Sequence, residues 1–275
     1  MSKFERTKPL ISIIIPSWFT QSQHGKYGMH ETFWFASECM SRLLSVTPRE
    51  KYELIIIDNG STITENDVEE SELCQNIMGV NEYWAQADVL IRNKNNLGFA
   101  PSCNQGFDLA RGEYVCCLNN DILVLEGWEE AMIETLNKQL DVKPGIAMPA
   151  LLKETNNAVE AIKLKKEDVN LAKNANMFGP GAEFGSLWFC RKQLLDELKE
   201  KDGYVFDENF KLGMGEDRDL WDRVRVLGYE TYRTHNTRVF HQGNMSIGKV
   251  KDRKSYTSKN REYLEEKRKK REGEK

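Results

Sequence analysis

Short apolar runs broken by polar, asparagine-rich stops set the rhythm of the first half of the chain. Leu10 to Ile15 reads LISIII and is closed by Pro16, the pattern of a short strand buried on both faces. Tyr52 to Ile57 (YELIII) is a second such run, and Asp58-Asn59-Gly60-Ser61-Thr62 ends it abruptly. Val89 to Arg92 and Tyr114 to Leu118 predict a third and a fourth strand, the fourth running into Asn119-Asn120-Asp121. Between these, Phe33, Ala36, Cys39, Met40, Leu43 and Leu44 recur at helical spacing. A second helix is predicted from Pro101, taken as its first helical position, to about Ala110, with Gly112 just past its end.

The second half is less regular. Ile146 to Pro149 and Ser186 to Cys190 predict strands, Gly179-Pro180-Gly181 a turn, and Lys153 to Asn176 is polar and poorly patterned. Gly213-Met214-Gly215 precedes Glu216-Asp217, which open a helix carrying Leu220, Trp221, Val224 and Leu227 on one side and stopping at Gly228. There is no internal repeat.

Strands alternating with helices imply crossover connections, hence a mostly parallel sheet covered by helices. Ligands of such sheets bind beyond the carboxyl ends of the strands. Pro16-Ser17, Asp58-Asn59 and Asn119-Asn120-Asp121 each follow a strand end, so three polar clusters are expected to converge on one crevice.

Composition changes this picture only at its margins. The 275 residues suit one large α/β domain or two small ones, and 12 Phe, 9 Tyr and 6 Trp exclude a disordered polymer. No apolar run approaches the roughly 20 residues that span a bilayer, and the basic start followed by a short apolar stretch is not a convincing signal peptide. Six scattered cysteines without a CxxC pair read as reduced core thiols of a cytosolic protein. The net charge of −4 is unevenly spread: Lys249 to Lys275 holds 12 Lys and Arg against 6 Asp and Glu, leaving 27 against 37 elsewhere. A basic tail on an acidic body can touch an anionic membrane, nucleic acid or its own domain. Without a clear apolar face around Tyr256 and Leu264, docking on its own domain ranks first.

The order IIIPSW, IIIDNGST, NKNNLGFAPSCNQGFDLARGEYVCCLNND, GEDRDLWDRVRVLGY and HQGNMS resembles glycosyltransferase family 2, with its GT-A fold, over about Leu10 to Gly248. The NNLGFA turn looks most like the rhamnosyl- and galactofuranosyltransferase-like branch. The resemblance implies one GT-A domain over residues 1–248, Rossmann-like, with a nucleotide-sugar half (about 9–125) and an acceptor half carrying an extension (about 126–248). Residues 249–275 form a charged helix or tail.

It also implies a division of labour. Asp58 would accept a hydrogen bond from a uracil or thymine imide, where the residues alone give an Asx turn closing a strand. Pro16 and Ser17 would lie alongside the base, Asn59 beside them. Asn95, Gly98 and Asn104 would border the ribose and diphosphate, Gly98 by allowing close backbone approach. The family's metal motif is usually two aspartates one residue apart; Asn119-Asn120-Asp121 keeps the last, leaving Asp121 as a hard ligand for Mg²⁺ or Mn²⁺, with Asn119 and Asn120 beside the donor. His241, followed by Ser246, matches the family's late histidine and would be a second ligand, tilting preference toward Mn²⁺. Asp217 would be the general base, with Glu216 orienting it or binding acceptor hydroxyls, where helix capping is the plainer reading. Asp219 should point elsewhere.

The function so implied is metal-dependent, inverting transfer of a sugar from a UDP- or dTDP-sugar to a hydroxyl of a glycan or glycolipid. Two other readings stay open: the same chemistry on a modified nucleobase or a protein side chain, which only the basic tail supports, and a sugar-nucleotide-binding module without catalysis. The Trp18 to His30 insertion, with His24 and His30, reads as an aromatic loop over the groove.

Overall fold

The computed structural model describes residues 8–20, 31–64, 67, 78–151, 179–180, 185–211, 215–241 and 253–273. The strands and helices in chain order are β1 (Ile11–Ser17), α1 (Glu31–Val46), β2 (Tyr52–Asp58), α2 (Val80–Ala85), β3 (Val89–Arg92), α3 (Phe99–Leu109), β4 (Tyr114–Leu118), β5 (Ile122–Leu123), α4 (Trp128–Asn137), β6 (Lys143–Leu151), β7 (Gly179–Pro180), β8 (Leu187–Arg191), α5 (Lys192–Asp202), α6 (Glu216–Val226), β9 (Tyr229–His241) and α7 (Arg253–Gly273). The strands form one sheet in the order β3-β2-β1-β4-β8-β6-β9-β5, with β7 pairing β9. β3, β2, β1 and β4 are mutually parallel, as are β6 and β9, while β8 runs antiparallel to both β4 and β6.

Both faces of the sheet are buried, which is why its strands read as unbroken apolar runs. Ile13, Ile15, Leu54, Ile56, Cys116 and Phe189 face a core shared with α1, α2 and α4. Their neighbours Ile14, Ile55, Ile57, Cys117, Trp188 and Cys190 face α3, α5 and α6. Contact on this second face is close: a Cβ at Gly106 of α3 would sit 2.5 Å from Ile14 of β1.

The predicted elements appear with some differences: Gly179 and Pro180, expected in a turn, instead pair with β9 as a two-residue strand, and β9 itself was not signalled. The helix expected from Pro101 begins at Phe99, with Gly98 as its N-cap at φ 98°. Pro101 therefore sits within the first turn, where its missing N–H has no intrahelical partner to lose. Gly112 lies beyond Ala110, the C-cap, and its backbone packs on β1, where a Cβ would meet the Ser12 nitrogen at 2.5 Å. The short helices α2 and α4, and the 11-residue α5, were not signalled by spacing. Lys153 to Asn176, the Trp18 to His30 insertion beyond residue 20, Cys74 and Ser246 lie outside the described residues.

The basic tail is helical and docked. Leu264 is buried, Tyr263 packs on Phe210, and Lys267, Arg268 and Arg271 pair with Asp207, Asp219 and Asp222. Among the described residues no helix is long and apolar enough to cross a membrane. The five described cysteines are buried free thiols, with Cys103 and Cys117 sulfurs 3.8 Å apart.

Candidate functional site

Register brings the first strand ends into one row. Ser17 closes β1 opposite Asp58 at the end of β2, and Asp58 is opposite Arg92 at the end of β3. The ladder continues one step further: Asn59 N–H donates to the Ser17 carbonyl and Asn93 N–H to the Asp58 carbonyl, each at 2.8 Å. Asp58 is buried. Its Oδ1 accepts from Ser61 N–H at 2.9 Å, the turn-closing bond its sequence context suggests, while Oδ2 faces Arg92 Nη1 at 3.7 Å. The Arg92 guanidinium also lies over the Trp84 ring, 5.6 Å from its centroid. The Ser17 hydroxyl is 2.9 Å from the Tyr83 hydroxyl, and burial pushes that phenol's pKa up.

The asparagines mostly build the loop that walls this row. Asn59 Nδ2 donates to Asn96 Oδ1 (2.7 Å) and the Gly98 carbonyl (3.2 Å), and its Oδ1 accepts from Leu97 N–H and Asn93 Nδ2. Gly60, at φ 81°, lets the 58–62 turn touch this loop: a Cβ there would stand 2.6 Å from the Asn95 backbone. Asn95 itself is exposed. Asn104 turns away, its Nδ2 donating to the Phe206 carbonyl (2.8 Å) and Glu208 (2.9 Å) and its Oδ1 accepting from Phe206 N–H. Its amide therefore fastens α3 to the 206–208 segment.

The metal candidates meet across an antiparallel pair. β5 pairs with the end of β9, Ile122 opposite His241 and Leu123 opposite Phe240, which sets Asp121 beside His241. His241 Nε2 is 3.4 Å from Asp121 Oδ1. Asp121 is 7% exposed, and that Oδ1 has no hydrogen-bond partner; the same holds for Asn119 Oδ1. A buried carboxylate oxygen without a donor is costly unless a cation answers it, so the pair fits a divalent ion as two of its ligands. Among the described residues no third His, Cys, Asp or Glu joins them. Behind the pair, Cys39 of α1 is buried with Phe35, Leu123 and Phe240. Burial, and then the Asp121 charge, hold its thiol protonated.

The acidic pair opens α6 after Gly215, whose φ of 108° lets the chain turn sharply into the helix. Glu216 is 4% exposed and its Oε2 has no hydrogen-bond partner. Burial first, and the Asp217 charge second, push its pKa up to about 8. Asp217 is half-buried, with Oδ1 accepting from Arg218 N–H at 2.8 Å. With the Asp217 carboxyl beside it and little water around it, Glu216 holds its proton more tightly than a free carboxyl. Asp217 rests against Gly185, where a Cβ would lie 2.7 Å from its Oδ2. The next residue, Ser186, accepts the Asn119 N–H at 2.8 Å. One turn thus touches both the catalytic candidate and the strand end bearing Asp121.

Asp219 faces the other way, wholly buried and bonded to Arg223 Nε at 2.9 Å. Sequence reasoning missed Tyr83, Arg92 and Gly185. Arg92 was findable, being a cation at a strand end beside one that ends in Asp58. Gly185 carries no local signal, because its smallness matters only against a side chain from another element.

Comparison with known proteins fits this geometry. The curated relative glycosyltransferase GlyG of Streptococcus pneumoniae serotype 4 is 28% identical over 134 residues, 49% of this chain and 36% of that protein. The chain thus spans little more than a third of that relative's length. Among solved structures, GalNAc-T7 with UDP, GalNAc and Mn²⁺ superposes with a TM-score of 0.54 at 15% identity, over 85% of this chain and 44% of that one. The mannosyltransferase PcManGT from Pyrobaculum calidifontis, in complex with GDP-Man and Mn²⁺, gives 0.53 at 16% identity, over 86% and 57%. The fold is therefore that of GT-A glycosyltransferases. Residues 35–182, more than half of the chain, match the family model "Glycosyl transferase family 2", and the protein belongs to that family.

Proposed function

We propose that the chain transfers a sugar from a UDP- or dTDP-sugar to a hydroxyl of a glycan or glycolipid, with inversion and with a divalent metal. The observation that carries the reading is the Gly185-Ser186 turn, which brings Asp217 and the Asn119–Asp121 strand end to one place. Asp58 would receive the base imide, and Arg92, now beside it, would move or stack. Ser17 and Pro16 would flank the base; Asn95 and Gly98 would line the ribose and diphosphate side. Asn59 and Asn104 would act from behind, by holding the loop and α3. Asn119 and Asn120 would face the donor beside the metal.

Asp121 and His241 would hold Mn²⁺ or Mg²⁺, which when bound would offset the charge growing on the departing diphosphate. That two neighbours are Mn²⁺ complexes supports this choice. Asp217 would take the proton of the acceptor hydroxyl as its oxygen bonds to the anomeric carbon. The bond from that carbon to the diphosphate breaks, and its electron pair leaves on the diphosphate. Glu216, protonated near neutrality, would donate a hydrogen bond to an acceptor oxygen.

The deciding experiment is a thermal-shift panel of UDP, dTDP, GDP, ADP and CDP with and without Mn²⁺. At a hundred times its Kd a ligand stabilises by about 2.7 kcal/mol. Selective, Mn²⁺-enhanced stabilisation by UDP or dTDP is expected. Selectivity for GDP would overturn the base assignment, and no shift at all would overturn a working donor site.

A further inference from the structure

α7 holds the back of the helix whose first turn carries Glu216 and Asp217. Asp219, wholly buried, receives cations from two elements: Arg223 of α6 itself, and Lys267 and Arg271 of α7, Lys267 Nζ at 3.0 Å. Lys267 also reaches Asp207 Oδ2 at 2.5 Å and the Tyr204 hydroxyl at 3.1 Å, and Tyr263 donates to the same Asp207 carboxylate at 2.9 Å. Arg268 Nε pairs with Asp222 Oδ2, one α6 turn further on, at 2.6 Å.

The same helix grips the approach to α6. Buried Asn260 accepts from Lys211 N–H at 3.3 Å and donates to the Lys211 carbonyl at 2.8 Å, a two-way clamp on the backbone four residues before Gly215. A Cβ at Gly215 would stand 3.2 Å from Phe210, on which Tyr263 packs.

Residues two apart on a helix point about 200° away from one another. Asp219 is thus an anchor on the face opposite Asp217. A buried carboxylate shared by several cations tolerates little sliding, since each displacement leaves a charge uncompensated. An apolar patch would let the helix shift by tenths of an ångström without such loss. Burying so many charges is a poor way to gain stability alone, but a good way to fix one position.

We infer that Lys267 and Arg271 are positioning residues that set the first turn of α6, and with it Asp217, through Asp219. This rests on the reading of Asp217 as the base, and the test separates the two. The chain is compared with Lys267→Met/Arg271→Met, with Lys267→Arg, and with Asp219→Asn/Lys267→Met/Arg271→Met, whose neutral amide still accepts from Arg223 should the double variant fail to fold. Amide hydrogen exchange over residues 215–219, the rate of donor-sugar turnover, and stabilisation by UDP are measured on each, with Asp217→Asn alongside.

Expected are at least tenfold faster exchange over 215–219 and at least tenfold lower kcat, with donor KM and the UDP shift unchanged and with partial recovery in Lys267→Arg. A folded triple variant with wild-type exchange and wild-type kcat would overturn the inference. So would faster exchange with kcat intact, or lower kcat with exchange intact. Turnover that survives Asp217→Asn would instead sink the base assignment, while faster exchange would still show the clamp.

Discussion

His241 Nε2 lies 3.4 Å from Asp121 Oδ1, although β6, β8 and α6 lie between the two residues in sequence. If this pair holds the metal, Asp121→Asn and His241→Ala each remove the Mn²⁺-dependent part of UDP stabilisation. The metal-independent part should survive, because Asp58 and the first three strand ends are untouched. Calorimetric titration of Mn²⁺ in the presence of UDP checks this, and undiminished Mn²⁺ binding by both variants would rule the pair out.

Glu216 gives a pH-dependence with a definite sign. Its folded-state pKa of about 8 lies above the 4.5 of a glutamate in the unfolded chain. The folded protein therefore holds this proton more tightly, and its contribution to stability is complete below about 4.5, falls as the pH rises, and is gone above about 8. By pH 7 the loss is on the order of 3 kcal/mol. Glu216→Gln removes the titration, so the difference in Tm between variant and wild type should grow between pH 5 and 8. Parallel Tm curves would contradict the assignment.

Gly185 is predicted to be intolerant for a reason separate from stability. A Cβ there meets Asp217 Oδ2 at 2.7 Å, so Gly185→Ala must push the carboxylate aside. Misplacing a reacting group by about 1 Å can cost on the order of 10²-fold in rate. Steady-state kinetics should show kcat down by that order with UDP affinity retained; a change confined to KM would argue against Asp217 as the base.

Gly60→Ala should act on the other side of the crevice. The residue has φ 81°, and the new Cβ would press on the Asn95 backbone at 2.6 Å. Strain of roughly 1–3 kcal/mol and displacement of the 93–98 loop are expected, read as a lower Tm and a weaker UDP shift together.

The strands of the nucleotide half were legible because burial on both faces leaves an unmistakable apolar run, as in LISIII and YELIII. The short α2 and α4 were not, because six to ten residues contain too few turns for a period to show. Site legibility divided in the same way. Asp58, Asp121 and Asp217 stand at element ends, where residue type and place already suggest chemistry. Asn59 does too and Asn104 lies mid-helix in α3, yet their amides go to the 93–98 loop and the 206–208 segment, partners that only the fold brings near. The docking of α7 was foreseen as self-contact, but its counter-charges on α6 and at Asp207 were not, since nothing local pairs residue 219 with residue 271.

The irregular pairing of β9 bears on which changes of length the chain can accept. Met148 is opposite Arg233, but Ala150, two residues on, is already opposite Arg238, so β9 spends the stretch 234–237 on a bulge before resuming the ladder. A residue gained or lost there falls where the ladder is already interrupted, so the pairing of 238–241 can stay as it is. A deletion among 238–240 has no such interruption to fall in. It moves the final side chain by one place, and in a strand one place is the difference between facing Asp121 and facing the opposite side of the sheet.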